Sequence, residues 1–148
     1  MSYNKVSSTY KETKIKTASQ GQLVIMLYDE AVKQLNMALD LLELNNSDKK
    51  QPSRIEQISK SVMKTEEIIT ELMVSLDFDQ GGDISKNLFS IYAWFNKELV
   101  EANISQDIQR IATVRNMLSD LRTSWNDLFN KHPAANINRE AIGLNING

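Results

Sequence analysis

An all-α fold is what this sequence predicts: an antiparallel four-helix bundle with a flexible N-terminal arm and C-terminal tail. Three observations carry it. Four separate segments repeat apolar residues at steps of three and four, the spacing of one helix face. The connections between them are short and marked by Pro, Gly, Asn or Ser. The 148 residues are 41% apolar and 24% charged, the make-up of an ordinary soluble domain long enough to bury a core.

Residues 1–17 hold only scattered apolar side chains, chiefly Tyr3, Val6, Tyr10 and Ile15, and read as a loose arm. Ser19 offers an N-cap, with Gln22 as its capping-box partner. The helix that follows is expected to run to about Leu44. Val24, Tyr28, Val32, Leu35, Leu39 and Leu42 form its seam, widened by Leu23, Leu27, Ala31 and Ala38. Residues 45–51 are a polar loop. Pro52 suits the first turn of a second helix, striped by Ile55, Ile58, Val62, Ile69, Leu72 and Leu76, with Thr65 as one polar interruption.

Gly81-Gly82 is expected to end that segment, with Asp83 as N-cap of the third helix. Ile84, Leu88, Ile91, Phe95, Leu99 and Ala102 form its stripe, and Asn103 suits a left-handed end. Ser105 caps a fourth helix with Asp107 in its first turn. Ile111, Val114, Leu118, Leu121, Trp125 and Leu128 step along it until His132-Pro133. The domain reading is therefore an arm at 1–17, a bundle domain at 18–132, and a flexible tail at 133–148 rich in Asn, Ile and Gly.

Residues 88–95, Leu-Phe-Ser-Ile-Tyr-Ala-Trp-Phe, are the most informative stretch. At about 100° per residue, Leu88, Tyr92 and Phe95 share one side, Phe89 and Ala93 lie a quarter-turn or more away, and Trp94 lies nearly opposite. An ordinary surface helix has one apolar stripe. Two readings stand side by side: a helix fully surrounded by its own core, or a helix that also offers an apolar face to another molecule.

Composition narrows the function classes. A net charge of −2 leaves no electrostatic footprint for nucleic acid. The absence of cysteine excludes disulfides, thiolate zinc sites and thiol catalysis, and is compatible with a reducing cytoplasm. No run approaches a membrane span and the N-terminus lacks a signal-peptide core, so a cytoplasmic protein without stable membrane insertion is expected. His132 is the single histidine and sits at a helix end, the wrong place for a mid-helix phosphotransfer site. Glu66, Glu67 and Glu71, like Asp77, Asp79 and Asp83, read as solvated faces or caps. Asp77 opens no calcium-loop pattern, no Glu-x-x-His pair exists for di-iron, and Gly81-Gly82 is no phosphate loop. Nothing pairs a nucleophile with a base. The chain reads as a non-enzyme with no cofactor.

Several blocks together resemble the flagellar secretion chaperone family (FliS). They are Thr17-Ala18-Ser19 with 23–29 (Leu-Val-Ile-Met-Leu-Tyr-Asp), then Leu76-Asp77 with 81–88 (Gly-Gly-Asp-Ile-Ser-Lys-Asn-Leu), Tyr92, 99–103 (Leu-Val-Glu-Ala-Asn), and 118–125 (Leu-Ser-Asp-Leu-Arg-Thr-Ser-Trp). They occur in the family's order from about Tyr10 to Trp125. Two departures stand out. Gln20-Gly21 replaces the usual proline, which leaves the helix start less rigid, and Glu30 replaces a usual glycine, which argues against close backbone approach there.

The resemblance implies a cytosolic helical bundle that binds the disordered C-terminal segment of flagellin, prevents premature polymerisation, and presents flagellin to the flagellar type III export gate. A disordered client needs apolar grooves, which the third helix could supply. Met26, Met37, Met63, Met73 and Met117 could adapt to it. Tyr28 and Trp125 are expected in the core. The flagellin contacts are expected at Val6, Tyr10, Met26, Asp29, Asn87, Leu88, Ile91, Tyr92, Trp94 and Phe95. Tyr10, helped by Val6, would cover the apolar surface until the client arrives. The competing reading is a self-associating bundle whose surplus face closes a homodimer.

Overall fold

The computed structural model describes residues 20–47 and 49–131. Four helices fill them: α1 (Gln20–Ser47), α2 (Pro52–Val74), α3 (Phe78–Ser105) and α4 (Ile108–Lys131). Each packs against its chain neighbours, and α4 closes back on α1; α3 against α4 is the loosest of the four seams.

Cross-helix hydrogen bonds fix the directions. Asp29 meets Arg122 and Asn36 meets Arg115, so α1 and α4 run antiparallel. Ser59 meets Asn103 and Thr70 meets Asn96, which does the same for α2 and α3. This is the expected antiparallel four-helix bundle.

The core follows the apolar seams. Tyr28, Ala31, Leu35 and Ala38 of α1 are fully buried, with Ile58, Val62, Ile69 and Leu72 of α2, Tyr92, Phe95 and Leu99 of α3, and Ile111, Val114 and Leu118 of α4. Glu30 is half-buried and accepts a hydrogen bond from Gln34 at 2.8 Å. Thr65 is tolerated in the core because its hydroxyl donates to the Ser61 carbonyl at 2.9 Å.

The helix ends correct several expectations. α1 continues past Leu44 to Ser47, because the buried Asn45 accepts from the Gln51 backbone N–H and from Arg54 and so ties the turn into α2. Pro52 opens α2 as expected. α3 does not start at Asp83. Asp77 is the N-cap and accepts from the Gln80 N–H at 3.0 Å, so a helical turn precedes the Gly-Gly pair. The helix then kinks at Gly82, where φ is +52° and ψ −125°. α3 ends not at Asn103 but at Gln106 in the left-handed region, with the Gln106 and Asp107 N–H groups both on the Ala102 carbonyl. Asp107, not Ser105, caps α4 by accepting from the Arg110 N–H at 3.2 Å. Ser105 bonds back to the Glu101 carbonyl. The Ser19 cap and His132 lie outside the described residues.

Two stripes also shift. Ile55 and Ile84 are exposed, while Ile68 and Ser85 are buried in their place. Ser85 is accommodated by donating to the Asp77 carbonyl at 2.8 Å across the kink.

Gly82 has a backbone conformation that side-chain-bearing residues avoid, yet a Cβ there would meet nothing within 4 Å. Gly82→Ala is therefore expected to cost about 1–3 kcal/mol through the backbone alone. Urea unfolding checks this, and an unchanged midpoint would mean that the kink relaxes freely. Gly21 differs: a Cβ there would sit 2.9 Å from the Phe129 ring, so this glycine lets α1 and α4 meet. The chain's departure from proline at this helix start thus comes with a tight glycine–ring contact.

Candidate functional site

The apolar octet resolves into inward and outward halves. Leu88, Tyr92 and Phe95 point into the bundle, with Tyr92 and Phe95 at 0% exposure. They are core residues, and in the free chain they cannot touch a partner directly. The reason is the register of α3, which follows the line Ser85–Leu88–Tyr92–Phe95–Leu99. Phe89 and Trp94 stay outside at 42% and 41% exposure. The helix is therefore not fully surrounded by its own core: one side is buried and the other carries exposed aromatic residues.

The outward residues divide between two flanks. Arg110 of α4 binds Glu101 at 2.7 Å and approaches Glu98 at 3.7 Å, so these glutamates mark the α4-facing flank of α3. Counting back in helical turns from Glu98 places Trp94, Ile91 and Asn87 on that flank. Counting forward from Arg110 places Met117 and Leu121 on the facing flank of α4. Trp94, Asn87 and Met117 are exposed, and Ile91 and Leu121 half-buried. The Trp94 ring lies 6.0 Å from that of Phe95, so it rests at the rim of the core. An apolar strip thus lies along the loosest seam of the bundle.

The remaining expected contacts are scattered. Asp29 is on α1, where its carboxylate accepts from Arg122 at 2.8 Å. Both groups are exposed, so the pair is worth only about 0.5 kcal/mol. Met26 is half-buried on α1. Val6 and Tyr10 lie outside the described residues. Sequence reasoning passed over Phe89 and Leu121 as site residues. The signal for Phe89 was its quarter-turn offset from Leu88.

Behind the strip a polar relay holds three helices together. Trp125 Nε1 donates to the Tyr28 hydroxyl at 3.0 Å, and the Tyr28 and Tyr92 hydroxyls are hydrogen-bonded to each other. Tyr28 and Trp125 are core, as expected. Burial raises the Tyr92 phenol far above its usual range, and Tyr28 adds to this. Burial also raises Tyr28, opposed by its bonds to Tyr92 and Trp125. These are neutral hydroxyls with no catalytic neighbour. Among the described residues no group of His, Cys, Asp and Glu could hold a metal ion. No helix among them is long and apolar enough to cross a membrane.

Comparison with known proteins agrees with this architecture. The family model described as "Flagellar protein FliS" matches residues 2–132. The chain is 32% identical over 120 residues to a flagellar secretion chaperone FliS of Salmonella typhimurium, covering 81% of this chain and 84% of that protein. It is 26% identical over 118 residues to the protein of that name from Bacillus subtilis, covering 80% and 81%. With that from Campylobacter jejuni it shares 27% identity over 135 residues, covering 91% and 99%.

Proposed function

Because the chain belongs to the FliS family of flagellar proteins, a family of secretion chaperones and not of enzymes, we propose that it is a cytosolic chaperone for flagellin. In this reading it binds the disordered C-terminal segment of flagellin, keeps the subunit from polymerising early, and delivers it to the flagellar export gate. The observation that carries the reading is the accessible apolar strip of Asn87, Ile91 and Trp94 on α3 beside Met117 and Leu121 on α4. A folded chain rarely leaves a tryptophan and a methionine together on a loose seam unless something covers them. An amphipathic segment laid into a groove uses such a seam. The strip is adaptable, because methionine fits irregular partners and α3 is not pinned tightly to α4.

Binding on such a strip rests on apolar area, not charge. Mixing the protein with a flagellin C-terminal peptide is expected to give a one-to-one complex on size exclusion. Raising salt to about 0.5 M, where the screening length is a few Å, is expected to weaken the complex by less than about tenfold. An obligate dimer indifferent to the peptide would favour the self-associating reading instead. A loss of several orders of magnitude in salt would point to an electrostatic interface.

A further inference from the structure

The solvent side of α1 carries a row of residues that the bundle core does not use. Met26, Lys33, Met37, Asp40 and Leu44 follow one another at steps of seven, four, three and four residues. At about 100° per residue they fall within about 60° of one another. They lie opposite Tyr28, Leu35 and Leu42, which form the core seam of the same helix. Met37 and Leu44 are 45% and 47% exposed. Lys33 and Asp40 are exposed too, and Met26 is half-buried. Heptad steps of this kind mark a helix side that meets another helix. Among the described helices α1 packs on α2 and α4, and this row points away from the core between them.

The charges in the row are complementary to a copy of themselves. Lys33 and Asp40 are about 10 Å apart along the helix axis, with Met37 between them. Contacts across a two-fold axis come in reciprocal pairs. When a second α1 lies antiparallel on an axis beside Met37, Lys33 of each copy therefore meets Asp40 of the other. The two Met37 side chains, which adapt readily to irregular packing, meet at the axis. Leu44 falls across the turn between Met26 and Lys33 of the second copy, where the methionine and the lysine stem give apolar cover. A parallel pair would instead set Lys33 against Lys33 and Asp40 against Asp40, so charge selects the antiparallel arrangement. Glu30, beside the row, accepts from Gln34 at 2.8 Å on its own helix.

We propose that the solvent side of α1 is the interface of a reversible homodimer, in which α1 pairs antiparallel with α1 of a second copy through two Lys33–Asp40 ion pairs. The dimer is weak, because the row holds few apolar groups and exposed ion pairs contribute little each. The inference does not depend on the flagellin reading. The major seams of α1 are with α2 and α4, not with α3, so the α3–α4 strip stays open in the dimer and each copy still takes one client. Salt separates the two surfaces. The dimer is set by charge and loosens as salt screens it, whereas the client strip is apolar.

Sedimentation equilibrium of the full chain, from micromolar to millimolar protein, tests this. The parent is expected to show a monomer–dimer equilibrium that shifts toward monomer as salt is raised. Asp40→Lys and Lys33→Glu are each expected to weaken the dimer at least about tenfold, because every substitution counts twice across the axis. Both positions are exposed and both new residues are good helix formers, so the helical circular dichroism should not change. The chain carrying Lys33→Glu and Asp40→Lys together restores opposite charges across the axis and is expected to dimerise like the parent. A parent that stays monomeric at millimolar protein overturns the proposal. A dimer that neither single substitution weakens is closed by another face, which also overturns it. If the single substitutions weaken the dimer and the double one does not restore it, the Lys33–Asp40 pairing is refuted.

Discussion

Phe95→Ala is expected to destabilise the bundle by about 3–5 kcal/mol, and Trp94→Ala, one residue away, to lower the melting temperature clearly less. Phe95 has no exposed surface and packs among α3's neighbours, so truncation opens a cavity in a close-packed core. Trp94 keeps 41% of its surface in water, so its loss removes less burial than that of Phe95. The order reverses for the client. Trp94→Ala is expected to weaken the flagellin peptide by about 2 kcal/mol, roughly thirtyfold in Kd, the scale of an aromatic anchor. Thermal melts and titration calorimetry on the two variants read the contrast. A Trp94→Ala protein that melts far below the parent but binds normally would place the indole in the core and remove the basis for the α3–α4 strip.

The hydroxyl relay yields the second large effect. Tyr28→Phe removes the central member, leaving both the Trp125 indole N–H and the Tyr92 hydroxyl buried without a partner. Each orphan costs about 1–3 kcal/mol, so a loss of about 2–4 kcal/mol is expected. Tyr92→Phe should cost only about 1 kcal/mol, because Tyr28 still receives the Trp125 proton. The relay also sets an alkaline limit. Both phenols are raised by burial in the folded state, while in the unfolded chain they titrate near the ordinary value of about 10. Below that pH their contribution is fully present. Above it the unfolded state binds fewer protons than the native one, so stability falls as pH rises. The slope is at most about 1.4 kcal/mol per pH unit for each tyrosine. Urea unfolding on either side of the tyrosine range should show this loss, and Tyr92→Phe should reduce it. A parent whose stability is flat through that range would show that the phenols are not shielded in solution.

Most of the bundle was legible because helical spacing reports which side of a helix meets its neighbours. The seams of α1 and α4 stood almost as read, and Pro52 marked its helix start by its fixed φ. What failed was chain punctuation. Asp83 follows two glycines and looks like a cap, but Asp77 had the free acceptor and a short turn fitted before the kink. Asn103 looked better suited to a left-handed end than Gln106, yet the glutamine takes it and bonds its own amide to the Asn103 carbonyl. Ser85 could not be recognised as a core residue because its partner, the Asp77 carbonyl, is created by that kink. The octet pointed to α3, where the proposed strip lies, but not to the side. Sequence spacing ranks faces by apolarity, and the most apolar face is the one the chain keeps for itself. Nothing in the residue order marks Asn96, whose buried side-chain oxygen has no hydrogen-bond partner among the described residues.

The closure of α4 on α1 has a consequence for how the molecule comes into being. Asp29 and Arg122 are 93 residues apart, Asn36 and Arg115 are 79, and Tyr28 and Trp125 are 97. The α1–α2 hairpin is local and can form as soon as both helices are synthesised. The relay and the far wall of the α3–α4 strip need the final helix. A chain still on the ribosome therefore holds a paired hairpin with its tyrosine hydroxyl unmet and no complete groove. α4, the last of the described helices, acts as a latch, so the proposed strip is expected to become competent only once this helix has been made.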